Sequence, residues 1–480
     1  MGDRSEAALS LVRKRFVLGL LLCASSCRVQ PALETTATTT TAAASRGWTV
    51  LLYAAVDNDW ERDFMRELRA LRRGLAACPD AEVLLLIDRS PKYSRDAEGL
   101  GSDFADTRLY RLTGGGAERM SGEPELAGLS AQASVELDTG DARVLRDFVR
   151  FGKRRFPSRH VALWLVSHGE GPSCCPDETD GGDELFTEEI AEVLTENESV
   201  DVLGFDACLM AGIENAYAWR RRPERFGADF LLASATVSNS WPYEDIFKRF
   251  RPEMSPRELS VLVVEEIRRQ IEEGRSGDRG LERDLQSFGA FDLSAVAEAK
   301  RRLDALARRL WKDGAKAELL KLRGSGLEAK TFVYVWPERD ANVTMPFVDA
   351  AHLCERIAAS EAFSAEARAL AARAAEAIDA VVASSCGFAH YAGFAPGRHG
   401  LSLVFPENAK TDDGRSAWER TGWYTPLPVA GKRDASGRYA WCIDGAVPAN
   451  GDVENWFELM DAWLDVATAD APGGANGYAW

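Results

Sequence analysis

The sequence predicts an α/β protein with a mainly parallel sheet flanked by helices. Three observations carry that reading. Short apolar runs of β-type residues alternate with amphipathic stretches of about 10–15 residues, the pattern of β–α–β units. Two of the runs, residues 160–167 (HVALWLVS) and 200–205 (VDVLGF), are mostly apolar, as buried strands are. Both stop abruptly at residues able to do chemistry, His168-Gly169 and Asp206-Ala207-Cys208. The C-terminal end of a parallel strand faces the crevice where such sheets bind ligands.

The elements follow in order. Arg13-Lys14-Arg15, an apolar run at 16–23 and the small residues Ala24-Ser25-Ser26 form a secretory signal pattern over 1–26. The run is too short to span a bilayer. Small residues just before Cys27 also resemble a bacterial lipoprotein cleavage box, with Cys27 acylated, although Ala24 stands where that box prefers Leu. The expected location is outside the cell or on its envelope, with a membrane partner through the lipid at Cys27. Residues 27–47 read as a Thr- and Ala-rich linker without periodicity. A catalytic domain is expected over 48–250, with a mixed, largely helical region over 251–480 that completes the fold.

Residues 49–56 are the first expected strand. Trp60, Phe64, Leu68, Leu71 and Leu75 then recur at helical spacing. Residues 83–87 and 107–112 are further strands. Asp141 is placed to cap a helix that buries Val144, Leu145, Phe148 and Val149. Residues 170–185 read as an acidic loop, and Thr187 as the cap of the helix after it. Past Cys208, Leu209, Met210, Ile213, Ala216 and Tyr217 fall at helical spacing, which sets Cys208 at a helix N-terminus. Ser255-Pro256-Arg257-Glu258 is a capping box opening a helix to about residue 272. Residues 295–311 and 365–382 are amphipathic helices, and 332–336 and 401–405 look like strands.

Composition excludes some classes. An apolar fraction of 46% belongs to a globular chain, and a net charge of −17 carries no basic face for nucleic acid. Nine cysteines show no paired spacing that would mark a zinc site or a disulfide framework. Cys386 with Cys442 is one pair an exported protein could oxidise, and the adjacent Cys174-Cys175 another.

A thiol and an imidazole at the ends of two buried strands can meet in one crevice. There the imidazole shares the thiol proton and the thiolate attacks a carbonyl. The plain alternatives are a small buried hydrophobe at Cys208 and a satisfied buried histidine at His168. The SHGEG around His168 and the GFDACLMA around Cys208 resemble the clostripain-like cysteine peptidases, which share the caspase-type fold. WTVLLYAAVDNDWE at 48–61, VLLLIDRS at 83–90, LLASATVSNSWPYEDI at 231–246, FGAFDLSAV at 288–296 and HGLSLVFP at 399–406 are similar to further pieces of that family, in order.

The resemblance implies a Cys208–His168 dyad that needs no cofactor, with protein or peptide as substrate. The amides of Gly169 and Cys208 would form the oxyanion hole. Asp206 would accept the Lys or Arg side chain before the scissile bond, with Trp241 and Tyr243 walling the pocket. The further acids common in relatives after the following strand are here Ala235 and Thr236. A pocket for neutral residues, or a non-catalytic binding module on the same fold, therefore stays open at this stage. Calcium dependence occurs in the family. Asp177, Asp180 and Asp183, with Glu178 and Glu184, offer hard oxygen ligands without EF-hand spacing. Relatives often mature by cutting themselves between the two motifs, but residues 169–207 contain no Lys or Arg.

Overall fold

The first strand sets the architecture. In the computed structural model, residues 46–275, 285–324, 331–334, 346–388, 391–410, 414–424, 452–466, 477, 478 and 480 are described. The leader, Cys27, the linker up to residue 45 and Cys442 lie outside them. The strands are β1 (Arg46–Val56), β2 (Glu82–Arg89), β3 (Thr107–Thr113), β4 (Gly116–Arg119), β5 (Ser158–Val166), β6 (Ser173–Asp177), β7 (Asp183–Phe186), β8 (Val200–Asp206), β9 (Ala228–Ser234), β10 (Ser287–Asp292), β11 (Phe347–Asp349), β12 (Val382–Gly387) and β13 (Ser402–Val404). The helices are α1 (Glu61–Leu75), α2 (Ala142–Arg155), α3 (Thr187–Val193), α4 (Ile213–Ala218), α5 (Tyr243–Arg249), α6 (Pro256–Glu272), α7 (Val296–Lys312), α8 (Lys316–Arg323), α9 (Ala350–Ala359), α10 (Ala365–Asp379) and α11 (Trp456–Leu464).

Nine strands form one sheet in the order β12-β10-β9-β8-β5-β1-β2-β3-β4. The middle five are parallel and the two at each edge pair antiparallel. In β1, Trp48, Val50, Leu52, Ala54 and Val56 pack on one face, and Leu51, Tyr53 and Ala55 on the other. Both faces are thus apolar, which a parallel sheet covered by helices requires. The first face lies under α1, α5 and α6, through Phe64, Leu68, Phe247 and Val263. The second lies under helices that include α2, α7, α10 and α11, through Phe148, Leu303, Ala371 and Phe457.

Several sequence signals act as expected. Asp141 accepts from the backbone N–H of Arg143 and caps α2. Ser255 and Glu258 close a capping box with Pro256 in the first turn of α6. Others need correction. Residues 170–185 are not a plain loop: β6 and β7 form an antiparallel hairpin there. Cys174 and Cys175 sit in β6, fully buried and shielded from oxidants. Thr187 lies inside α3, and its hydroxyl hydrogen bonds Pro172 and Asn215 instead of capping the helix. The second apolar run near the C-terminus becomes β13, which pairs with β11 outside the main sheet. Residues past 250 supply β10 and β12 to the sheet itself.

β8, the strand before Cys208, is tightly held at Gly204. A Cβ there would lie 2.6 Å from Trp164 Cδ1 and 2.8 Å from the Trp241 ring. These rings meet edge to face at 5.3 Å. Gly204→Ala must force them apart, at roughly 1–3 kcal/mol for an overpacked core. Chemical denaturation should show that loss, and an unchanged midpoint would refute the packing account.

Candidate active site

Four neighbouring strand ends converge on one place. Val166 of β5 and Asp206 of β8 are register partners, so His168 and Cys208 stand level, each two residues past the pair. Adjacent strands run about 4.8 Å apart. The backbone ties the two ends further, because Ser167 N–H donates to the Asp206 carbonyl at 3.3 Å. On the far side of β5, the turn after β1 brings Asp59 to His168, with Nε2 2.6 Å from the carboxylate oxygen Oδ1. Trp60 packs edge to face on the imidazole at 6.0 Å. Nδ1 is the ring nitrogen that Asp59 does not engage. Beyond β9, Ser238 N–H donates to the Cys208 sulfur at 3.4 Å.

Cys208 is half-buried, but it is not at a helix N-terminus as its spacing suggested. Leu209 adopts a left-handed conformation at φ 62°, and α4 begins only at Ile213. Residues 209 and 211 instead hydrogen bond the carbonyls of Thr236 and Ser234, along the continuation of β9. Met210 and Ala211 are buried by that pairing, not by a helical face. The Ser238 N–H, not a helix dipole, brings partial positive charge to the sulfur.

Gly169 has no room for a side chain. A Cβ would stand 2.6 Å from the Cys208 carbonyl oxygen and 2.9 Å from Met210 Sδ. The two loops therefore touch backbone to backbone, which only glycine permits.

Asp206, Trp241 and Tyr243 do come together, but as a buried cluster and not as the walls of an open pocket. Asp206 Oδ2 accepts from the Tyr243 hydroxyl at 2.8 Å and from the Trp241 N–H at 3.3 Å. Oδ1 is buried without a partner. Burial, chiefly, pushes the carboxyl from 3.8 up to about 7, and nearby Glu67 adds repulsion. The Tyr243 and Trp241 bonds pull the other way.

Comparison with known proteins places this geometry. A profile of the clostripain family matches residues 52–456. The chain belongs to the clostripain family. It is 32% identical over 479 residues to clostripain of Hathewaya histolytica, covering 90% of this chain and 89% of that one. Two solved structures are similar in fold. One is an inactive zymogen C11 protease from Parabacteroides distasonis, at 17% identity and a TM-score of 0.50 over 76% of this chain and 93% of that one. The other is a secreted C11 cysteine protease from Bacteroides thetaiotaomicron in complex with an irreversible peptide inhibitor. It matches at 17% identity and a TM-score of 0.50 over 76% of this chain and 95% of that one. The protein is thus a clostripain-family cysteine peptidase on the caspase-like α/β fold.

Of the loop acids, only Asp177 is buried, grouped with Asp57, Asp88 and Glu136. Asp180 joins Asp177 and Asp138, and Asp183 enters neither group. Glu178 is engaged elsewhere, by Lys92 and Tyr93. Sequence reasoning missed Asp59 and Ser238. The VDND turn was visible as an acidic motif, but nothing local says which acid reaches a histidine 109 residues away.

Asp206 makes stability depend on pH. Its folded value of about 7 lies above the ordinary 3.8, so its contribution is complete below about pH 4 and is lost as pH rises through 7. Against Asp206→Asn, wild type should lose up to about 4 kcal/mol between those limits, at 1.36 kcal/mol per unit. Thermal unfolding of both proteins across pH tests this, and a constant difference would contradict the buried-acid account.

Proposed function

We propose that this chain is an exported cysteine endopeptidase that cuts after Arg or Lys, with Cys208 as nucleophile and His168 as acid–base partner. The observation that carries the reading is the row Ser238, Cys208, His168 and Asp59 across four adjacent strand ends. Cys208 thiolate attacks the substrate carbonyl, and the amides of Gly169 and Cys208 receive the developing oxyanion. His168 gives its proton to the leaving amine. Water then loses a proton to His168 and attacks the thioester, and the acid product departs with the thiol restored. Asp59 holds the ring by Nε2, so that Nδ1 serves the sulfur. Residues 48–250 carry this machinery, and 251–480 complete the sheet.

Basic specificity is supported by Asp206, two residues from the nucleophile, with a buried oxygen in need of a donor. An arginine reaching it would supply that donor and draw off the proton. The segment 235–242, between β9 and α5, has to part for this to happen. A second reading, neutral residues before the cut, is favoured by the burial of Asp206 and by Ala235 and Thr236 in place of further acids. Export and the lipid anchor at Cys27 rest on residues 1–27 alone. Among the described residues, no helix is long and apolar enough to cross a membrane.

The deciding experiment is labelling with a peptidyl-Arg acyloxymethyl ketone, wild type beside Cys208→Ala. Label on wild type and none on the variant is expected. A neutral-residue probe that reacts where the Arg probe does not would leave the dyad and remove the basic pocket. Silence from every probe on folded protein would remove the dyad.

Asp59 is a positioning residue in this scheme. Asp59→Ala should lower kcat roughly ten-fold or more, a share of the 10²–10⁴ that a positioned acid–base group contributes, and leave KM unchanged. Asp59→Asn should recover part of the loss. Steady-state kinetics in which KM changes and kcat does not would rule the role out.

A further inference from the structure

We infer that Asn215 is a positioning residue for the thiol and the imidazole: its buried side-chain amide ties the turn after His168 to the segment after Cys208. The inference rests on the dyad proposed above. Asn215 lies in the first turn of α4 and is fully buried, and Gly171 and Met210 are buried with it. Its amide nitrogen donates to the Gly171 carbonyl at 2.7 Å and to the Met210 carbonyl at 3.3 Å. Gly171 stands three residues past His168, and Met210 two past Cys208. One planar group thus spans both loops, with an N–H for each.

The third corner of that group is held as well. Asn215 Oδ1 accepts from the Thr187 hydroxyl at 3.0 Å, and the same hydroxyl lies 3.1 Å from the Pro172 carbonyl. A hydroxyl facing the oxygen and two carbonyls facing the nitrogen fix which way the amide points. Asparagine is suited to the place because it brings two donors and an acceptor in one plane. An ionised aspartate of the same shape would face both carbonyls with acceptors only, and leucine would leave them unpaired.

Both loops are stiff, so the tie reaches the reacting groups. Glu170 N–H donates to the Ser173 carbonyl at 3.0 Å, and Cys175 N–H to the His168 carbonyl at 3.1 Å. Gly171 therefore sits on a closed turn whose base is His168 itself. On the other side, the N–H groups of residues 209 and 211 are fixed to the continuation of β9. The Ala211 carbonyl also accepts from the N–H and hydroxyl of Ser402, at 2.8 and 3.0 Å. A shift of Met210 would carry Cys208 with it. The bond from Ser167 to Asp206 lies before both groups, and beyond it the amide sets the spacing. An imidazole lowers a thiol pKa only at close range, and a misplacement of about 1 Å can cost about 10²-fold in rate.

The test makes two measurements on the full chain. One is hydrolysis of a peptidyl amide whose last residue is the one the ketone probes select. The other is the pH dependence of Cys208 alkylation by iodoacetamide, read by mass mapping at that residue. Asn215→Leu should lower kcat roughly ten- to a hundred-fold and leave KM within about two-fold, since Asn215 is buried away from substrate. Its alkylation midpoint should move up toward the value of about 8.5 of a free thiol. Thr187→Val keeps the shape and frees the amide to turn, so it should move both readouts the same way and by less. Thr187→Ser should restore them. Circular dichroism checks each fold, and the Thr187 pair carries the test should Asn215→Leu not fold. A raised KM with kcat and midpoint unchanged would overturn the inference. His168→Ala separates it from the dyad. A midpoint that His168→Ala moves, and that neither Asn215→Leu nor Thr187→Val moves, would remove the role of Asn215 and leave the dyad standing. A midpoint that His168→Ala leaves in place would remove the dyad, and the role of Asn215 with it.

Discussion

The parallel ladder of β9, β8, β5 and β1 is what the site depends on. Each strand brings its neighbour's end level, so residues 59, 168, 208 and 238 meet although up to 179 positions separate them in the chain. Strand register is sharply defined when both faces are buried, because a slip of one residue exchanges the two faces. The apolar content of β1, β5 and β8 therefore has a second effect beyond stability. It fixes which residues stand side by side at the rim. Polar contacts then refine the placement: Ser167 to β8, Asn58 to Ser167, and Ser238 to the sulfur.

Charge burial is the recurring cost of this arrangement. Arg89 and Glu61 are both fully buried and paired at 2.6 Å, beside the start of α1. Even so, burial lifts the Glu61 carboxyl more than Arg89 lowers it. Such a pair adds little net stability, and the loss of either member would strand the other. Asp206 and Asp88 belong to the same class, with fewer partners. Groups held this far from their comfort in water concentrate where a protein acts, since a ligand can supply what the fold withholds.

Much of this was legible in the chain. Continuous apolar runs located β1, β2, β5 and β8, which are buried on both faces, and period-3.6 patterns located α1, α2 and α6, which bury one. His168 and Cys208 were visible because both follow apolar runs directly. The helix after Cys208 was misplaced for a physical reason. Met210 and Ala211 are apolar because they lie along the continuation of β9, and their spacing mimics a helix. A left-handed Leu209 carries no sequence signal, since glycine or asparagine is the usual mark. The burial of Asp206 was hidden too, because its screen is Trp241 and Tyr243, some 35 residues on. The contact of Asp59 with His168 needed the fold, since it reaches across strands and no local pattern names the partner.

The β6–β7 hairpin lies in the stretch between His168 and Cys208, and it is fastened on both sides. Thr139 holds Asp177, Thr179 holds Asp57, and Thr187 holds Pro172 and Asn215. Its tip stands in solvent: Gly181 and Gly182 are exposed, with φ of 78° and 77°. The covalent link between the two halves of the site is therefore mechanically redundant. A break at the tip would leave both fragments seated in one sheet, like a seam cut in cloth that is still glued to its backing. Regulation by scission at this point would have to work by freeing the movement of the hairpin, not by letting the halves come apart. Fragments that separated on a sizing column after a cut at an engineered tip site would show that the fastening is weaker than its contacts imply.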